Sequence, residues 1–309
     1  MEDNDNTFLR ARMAFGRARA KSMLGKLWAT IHRRPHELLA YDEVREHLHP
    51  GGPVYRGLQT VAISQIVGSV NRYRDFDRAF LPAQARTEGR WESIGRAHMG
   101  NINLPPVKLY KIGDVYFVVD GNHRVSVARE MGQEFIDAEV QEVRVRVPIT
   151  PDINPHDLEI IGEKTEFLAE TKLDETRPNV TFDLTIPGGY GLLLEHIRVH
   201  KYLQGVEWSR EFSMEEAAAQ WCDQVYLPMV KLIHQSGILR EFPNHTEGDL
   251  YIWLMEHQYY LKERFGSSVS FQDVVRSYSS QFSDVTLKKL RNWFNKHILR
   301  IEPDLSRLH

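Results

Sequence analysis

The 309-residue chain is 42% apolar and 26% charged, with a net charge of −3 at pH 7, the make-up of a soluble globular protein long enough for two cores. No apolar run approaches the roughly 18–20 residues of a membrane span, and the acidic start MEDNDN is unlike a secretory signal. The single cysteine, Cys222, excludes an internal disulfide and a thiolate zinc cluster within one chain, and it suits a reducing, cytoplasmic setting.

Residues 8–36 contain Arg10, Arg12, Arg17, Arg19, Lys21, Lys26, Arg33 and Arg34 and no acid, so this stretch carries +8 and the remainder −3 − 8 = −11. Phe8, Leu9, Met13, Phe15, Met23, Leu24, Leu27, Trp28 and Ile31 are interleaved with the cations, which predicts a basic amphipathic helix. It could grip nucleic-acid phosphates, lie on an anionic membrane, or pack by its apolar face on the protein's own acidic body.

RPHELLAYDEVREHLHPGG then predicts a short helix closed by Pro50-Gly51-Gly52. Residues 58–67 are strand-like, or a strand entering a short helix. The next segments, helical or irregular, spread Arg72, Arg74, Arg78 and Arg90 along their length. LPPVKLYKIGDVYFVVDG predicts two strands joined by a tight turn at Ile112-Gly113-Asp114. A helix follows from Asn122 to Met131, with Gly132 just beyond its end. VRVRV at 143–147 alternates like a last strand. PITPDINPHD breaks regular structure, which places a domain boundary near 150. Beyond it the chain reads as helical, with VTFDLTI at 180–186 its one convincing strand-like run. Ser213-x-x-Glu216 and Thr246-x-x-Asp249 mark helix starts, and Ser270 and Ser283 are cap candidates for the last two helices. The expected organisation is a basic extension over 1–57, an α/β (α+β) domain over 58–150, and a mostly α-helical domain over 151–309.

The chemistry concentrates at DVYFVVDGNHR, residues 114–124. A strand that runs through glycine into a helix leaves the first helical N–H groups without partners, and the helix dipole favours an anion there. Gly121 allows close backbone approach. Arg124 offers a planar fork for phosphate oxygens, and Ser126 adds a hydroxyl. His123 is a donor or a proton carrier near neutral pH. Asp120 could hold a metal, orient a ligand hydroxyl, accept a proton, or simply cap the helix.

The longer stretch LPPVKLYKIGDVYFVVDGNHRVSVAREMGQEFIDAEVQEV, preceded by VAISQIVGSVNRYRDF, resembles the nucleotide-binding core of the ParB/sulfiredoxin superfamily. The likeness spans about residues 58–147. It implies a nucleoside triphosphate, ATP or CTP, with its phosphates at Gly121, Asn122, His123 and Arg124. Arg72 would be a second phosphate ligand, and Asp120 a Mg²⁺ ligand. Sulfiredoxins carry a nucleophilic cysteine where Asn122 stands, and an amide cannot attack, so reductase chemistry is not expected. Partition proteins carry Gly-Glu-Arg-Arg, from which His123 departs. The Asp-Gly-His-His-Arg of free-serine kinases differs from DGNHR only at Asn122. The resemblance therefore implies Mg²⁺-dependent phosphoryl transfer or hydrolysis, with His123 and Asp120 as catalytic candidates. Asp75, Asp77 and Glu92 all remain open as the base. The alternative is a non-enzymatic DNA-binding or nucleotide-sensing regulator, with a homodimer allowed. PGGYGLLLEHIRVHKYL, WCDQVYLPMVKLI and FPNHTEGDLYIWLMEHQYYLKERFG are similar to a bacterial family of unknown function.

Other patterns are weaker. His196 and His200 stand at i, i+4, but Glu195 precedes the first histidine and does not follow it as in zinc proteases. IPGGYGLLLEH repeats the run–glycine–helix theme and is a second conceivable anion site, or only a chain turn. Leu250, Trp253, Leu254, His257, Tyr260 and Leu261 form an aromatic stripe expected to be core. Residues 283–298, with Lys288, Lys289, Arg291 and Lys296, could form a second nucleic-acid contact as the last helix of a helix-turn-helix.

Overall fold

A computed structural model describes residues 2–31, 36–151, 153, 155–265 and 271–282. Arg33 and Arg34, the caps Ser270 and Ser283, and the basic helix expected at 283–298 lie outside the described residues. The chain is mixed α/β and divides into two compact units, Met1–Thr165 and Glu166–His309. The division falls within a helix beyond the proline-rich segment near 150, and the first unit takes in the N-terminal extension.

The first unit runs α1 (Glu2–Ile31), β1 (Leu39–Ala40), α2 (Tyr41–Leu48), β2 (Val54–Ala62), β3 (Ile66–Ser69), α3 (Glu88–Met99), β4 (Val107–Ile112), β5 (Val115–Asp120), α4 (Asn122–Glu130) and β6 (Phe135–Glu142). The six strands form one sheet in the order β1-β3-β5-β4-β6-β2. β1, β3 and β5 are parallel neighbours, and β4 is antiparallel to β5 and parallel to β6. The central position of β5 explains its nearly continuous apolar sequence, because both of its faces are covered. Tyr116 and Val118 enter a core with Phe15, Trp91 and Val125, on the side of α1, α3 and α4. Val115 and Phe117 enter the other core, with Tyr41, Val44, Leu48 and Leu158. The extension is thus part of the fold: α1 and α2 cover opposite faces and β1 extends the sheet.

VRVRV is not a strand. The Val143 amide still bonds the Lys111 carbonyl at 2.8 Å, but β4 turns away after Ile112 and leaves no partner for further ladder. The alternation survives only as burial, with Val143 and Val147 in the core.

The second unit completes α5 (Pro155–Thr171) and continues through α6 (Leu173–Thr176), α7 (Gly189–Trp208), α8 (Met214–Trp221), α9 (Leu227–Ser236), α10 (Glu247–Phe265) and α11 (Phe271–Phe282). A π-helical turn, Cys222–Tyr226, splices α8 to α9, and the Cys222 thiol is fully buried in it. Ser213 and Glu216 make the expected capping box of α8, and Thr246 and Asp249 make its acidic counterpart on α10. The core is aromatic: Phe167, Phe182, Tyr190, Trp221, Tyr226 and Tyr251 pack ring to ring. Leu250, Leu254, His257 and Leu261 of the α10 stripe are buried, whereas Tyr260 is exposed.

VTFDLTI, expected as a strand, is extended but has no ladder partner among the described residues. Helix side chains satisfy its backbone instead. Tyr226 donates to the Thr181 carbonyl, Tyr190 to Phe182 and Thr246 to Asp183, while the Thr185 amide donates to the fully buried Asp249. Those four bonds replace a neighbouring strand.

Candidate functional site

Parallel β3 and β5 end at the same side of the sheet, where open α/β sheets present their ligand sites. After β3 the buried Ser69 hydroxyl donates to the Val118 carbonyl at 3.3 Å and accepts the Arg72 amide at 3.2 Å. This turn brings Arg72 beside the exit of β5. That exit is Gly121, whose φ of +108° caps α4 in the left-handed region. A Cβ there would stand 2.6 Å from Val107 Cγ1, so the close packing of β4 requires the glycine whether or not a ligand approaches.

The predicted residues separate into two groups. Arg124 is occupied: it donates to the Pro106 carbonyl at 2.8 Å, to the Pro105 carbonyl, and to Asp120 Oδ2 at 2.6 Å. It clamps the segment leading into β4. Asp120 is 61% exposed and its carboxylate carries that Arg124 pair. Ser126 is fully buried and accepts the Trp91 indole N–H at 2.9 Å, which ties α4 to α3.

The second group is different. Asn122 and His123 begin α4, both are more than nine-tenths buried, and Asn122 Oδ1 and His123 Nδ1 have no partner. The His123 ring meets Phe76 edge-on at 5.2 Å. Burial pushes its pKa down from 6.5 to about 4, helped by the nearby cations Arg72 and Arg90 and opposed by Asp75. At neutral pH the ring is uncharged, with one N–H to give. Two cations acting on a buried, neutral imidazole at a helix N-terminus, offset in part by Asp75, form an environment suited to an anion.

Arg90 and Arg86 were not among the predicted site residues. Arg86 holds the buried Asp75 carboxylate from one side, with its Nε at 3.0 Å, and Arg72 holds it from the other at 3.2 Å. The density of arginines between Arg72 and Arg90 was visible in the sequence; their convergence was not.

Of the three candidate bases, Asp75 is held by those two arginines. Asp77 accepts the amides of Ala79 and Leu81, both at 2.9 Å. Glu92 is buried and has one carboxylate oxygen, Oε1, without a partner. The residues present do not make a Mg²⁺ site of their own. Asp120 offers a single carboxylate already neutralised by Arg124, and no group of three or more His, Cys, Asp or Glu side chains is gathered for a metal among the described residues. His196 and His200 belong to no such group, and burial lowers the pKa of both.

Residues 192–282 match the model of a family described as a domain of unknown function, DUF4032. No curated protein matches the chain. Among solved structures it is similar to a Pnob8-like ParB-N domain in its C2221 form, at 8% identity over 78% of this chain and 98% of that one, with a TM-score of 0.21. Similarity that low carries no argument. No helix among the described residues is long and apolar enough to cross a membrane.

Proposed function

We propose that the first unit is a ParB/sulfiredoxin-like module that binds a nucleoside triphosphate, with its phosphates at the N-terminus of α4 against Asn122, His123, Arg72 and Arg90. The observation that carries this is the buried His123 ring at the helix N-terminus, its Nδ1 unpartnered and able to donate, under the field of two arginines. A phosphate there would meet the helix N-terminus and the guanidinium groups, in competition with the buried Asp75 carboxylate that already holds Arg72. A neutral His123 can donate to such an oxygen while its other nitrogen accepts.

Phosphoryl transfer or hydrolysis, which the sequence resemblance implies, needs positioning, charge neutralisation and a group to take the acceptor's proton. Here Glu92 is the carboxylate with an oxygen to spare. Mg²⁺ would arrive as the nucleotide's own counter-ion, held through phosphate. The regulator reading has an observation of its own: Asp75, Asp77 and Asp120 are all engaged, which favours holding a nucleotide over turning it over.

Calorimetry with ATP, CTP and GTP, with and without Mg²⁺, tests the reading. Binding of at least one nucleotide, weakened about tenfold or more by Arg72→Ala or Arg90→Ala, supports it. No binding below millimolar concentration by any of the three sinks it. Chromatographic detection of diphosphate product, lost in Glu92→Gln with binding intact, separates the enzyme from the sensor.

A further inference from the structure

The long N-terminal helix has two apolar faces, and only one is used. Ala11, Ala14, Phe15, Ala18, Ser22 and Ala29 are buried, and at about 100° per residue they fall on one side of α1. Phe15 meets Trp91 of α3 at 5.6 Å between ring centroids. The residues of this face are mostly small, so the core takes α1 close in and leaves its larger apolar residues outside.

On the opposite side Leu9, Met13, Gly16, Ala20, Met23 and Leu27 follow a four-three spacing, with Leu24 and Ile31 beside them. All are exposed, Leu24 at 67% and Ile31 at 76%. A 30-residue helix is about 45 Å long, so this ridge is far more apolar surface than a monomer ordinarily leaves in water. Gly16 and Ala20 leave a depression at its middle, an open groove of about 750 Å³ lined also by Met99 and Met131, with Arg10 and Arg17 on its rim.

The flanks choose the occupant. Arg10 and Arg17 lie along one margin of the ridge and Arg12 and Lys26 along the other. All four are exposed, and none has an ion-pair partner among the described residues. No acidic residue occurs between Phe8 and Ile31. A second copy of the helix would set cations against cations along most of both sides of the seam, because the acids of α1, Glu2, Asp3 and Asp5, all stand at its first turns. Nucleic acid would satisfy the cations and leave the apolar ridge facing hydrated phosphates. An anionic bilayer accepts both: acyl chains under the ridge and headgroups along each basic margin.

We propose that α1 docks the first unit flat onto an anionic lipid surface, with Leu9, Met13, Met23, Leu24, Leu27 and Ile31 entering the acyl boundary. The groove at Gly16 and Ala20 then receives part of one acyl chain. This does not depend on the α4 site, and failure of either leaves the other standing.

The test is co-sedimentation of the full chain with phosphatidylcholine vesicles, with and without phosphatidylglycerol, at low and high salt. The expected result is binding to the anionic vesicles alone, falling with salt. Leu24→Glu with Leu27→Glu, and separately Arg12→Gln with Lys26→Gln, should each weaken binding about tenfold or more, because one removes insertion and the other the headgroup contacts. All four residues are exposed, and an unchanged unfolding curve checks that the fold is kept. Equal binding to both vesicle types, or to neither, overturns the proposal. So does a dimer, seen by light scattering, that Leu24→Glu with Leu27→Glu dissociates. Binding to duplex DNA that tolerates glutamate on the ridge but not loss of Arg12 and Lys26 would assign the helix to nucleic acid instead.

Discussion

Two helices in this protein begin with the same local grammar. α4 follows an apolar run through Gly121, and α7 follows another through Gly188, with φ values of +108° and +79°. At α4 the preceding run is the central strand of a sheet, and the first helical side chains, Asn122 and His123, are buried with polar atoms unspent. At α7 the preceding run has no strand beside it among the described residues. Tyr190, Tyr226, Thr246 and Asp249 consume its backbone groups, and Gly189 and Tyr190 go straight into the aromatic core. A glycine before a helix therefore does not define a site. What differs is whether the fold has already used the polar groups gathered there.

The largest expected effect separates the two glycines by substitution. Gly121→Ala combines a left-handed backbone with a Cβ 2.6 Å from Val107, and should destabilise the first unit by about 3 kcal/mol in denaturant unfolding. Asp249→Ala should cost the second unit about 2 kcal/mol, because it orphans the Thr185 and Thr246 amides together. If Asp249→Ala proves neutral, the contrast between spent and unspent polar groups is wrong. Gly188 has the same kind of φ but open space around it, so Gly188→Ala should cost only about 1 kcal/mol.

The last prediction is a slope. His123 has a folded pKa of about 4, below its ordinary 6.5, so between these values the unfolded chain takes up the proton first. Its contribution is fully present above pH 6.5 and is lost as the pH falls toward 4. Stability profiles of the protein and of His123→Gln should diverge in that window, with the flatter curve belonging to the variant. Parallel curves would remove His123 from the list of buried, neutral groups.

The β4–β5 hairpin, the Gly121 junction and both capping boxes were legible because each rests on residues adjacent in sequence. Two strand assignments failed for one shared reason. VRVRV and VTFDLTI have strand-like patterns, but a ladder needs a partner, and no local pattern encodes one. At the site, Asn122 and His123 could be named from the junction. That Arg124 would be taken up by the Pro105 and Pro106 carbonyls, and that Arg90 would reach the field of His123, depends on tertiary packing. The α1 helix shows the same limit. Its basic, apolar composition was plain, but the sequence did not say that alanines and Phe15 would face the core and the other large side chains would not.

The single thiol gives the second unit something the first lacks. Cys222 is the chain's one cysteine, it is wholly buried in the π-helical turn, and burial beside Asp223 pushes its pKa up to about 11. A thiol so shielded reacts only when its surroundings open. Its labelling rate by a thiol reagent is therefore a clock for opening of the helical half, and it needs no engineered probe.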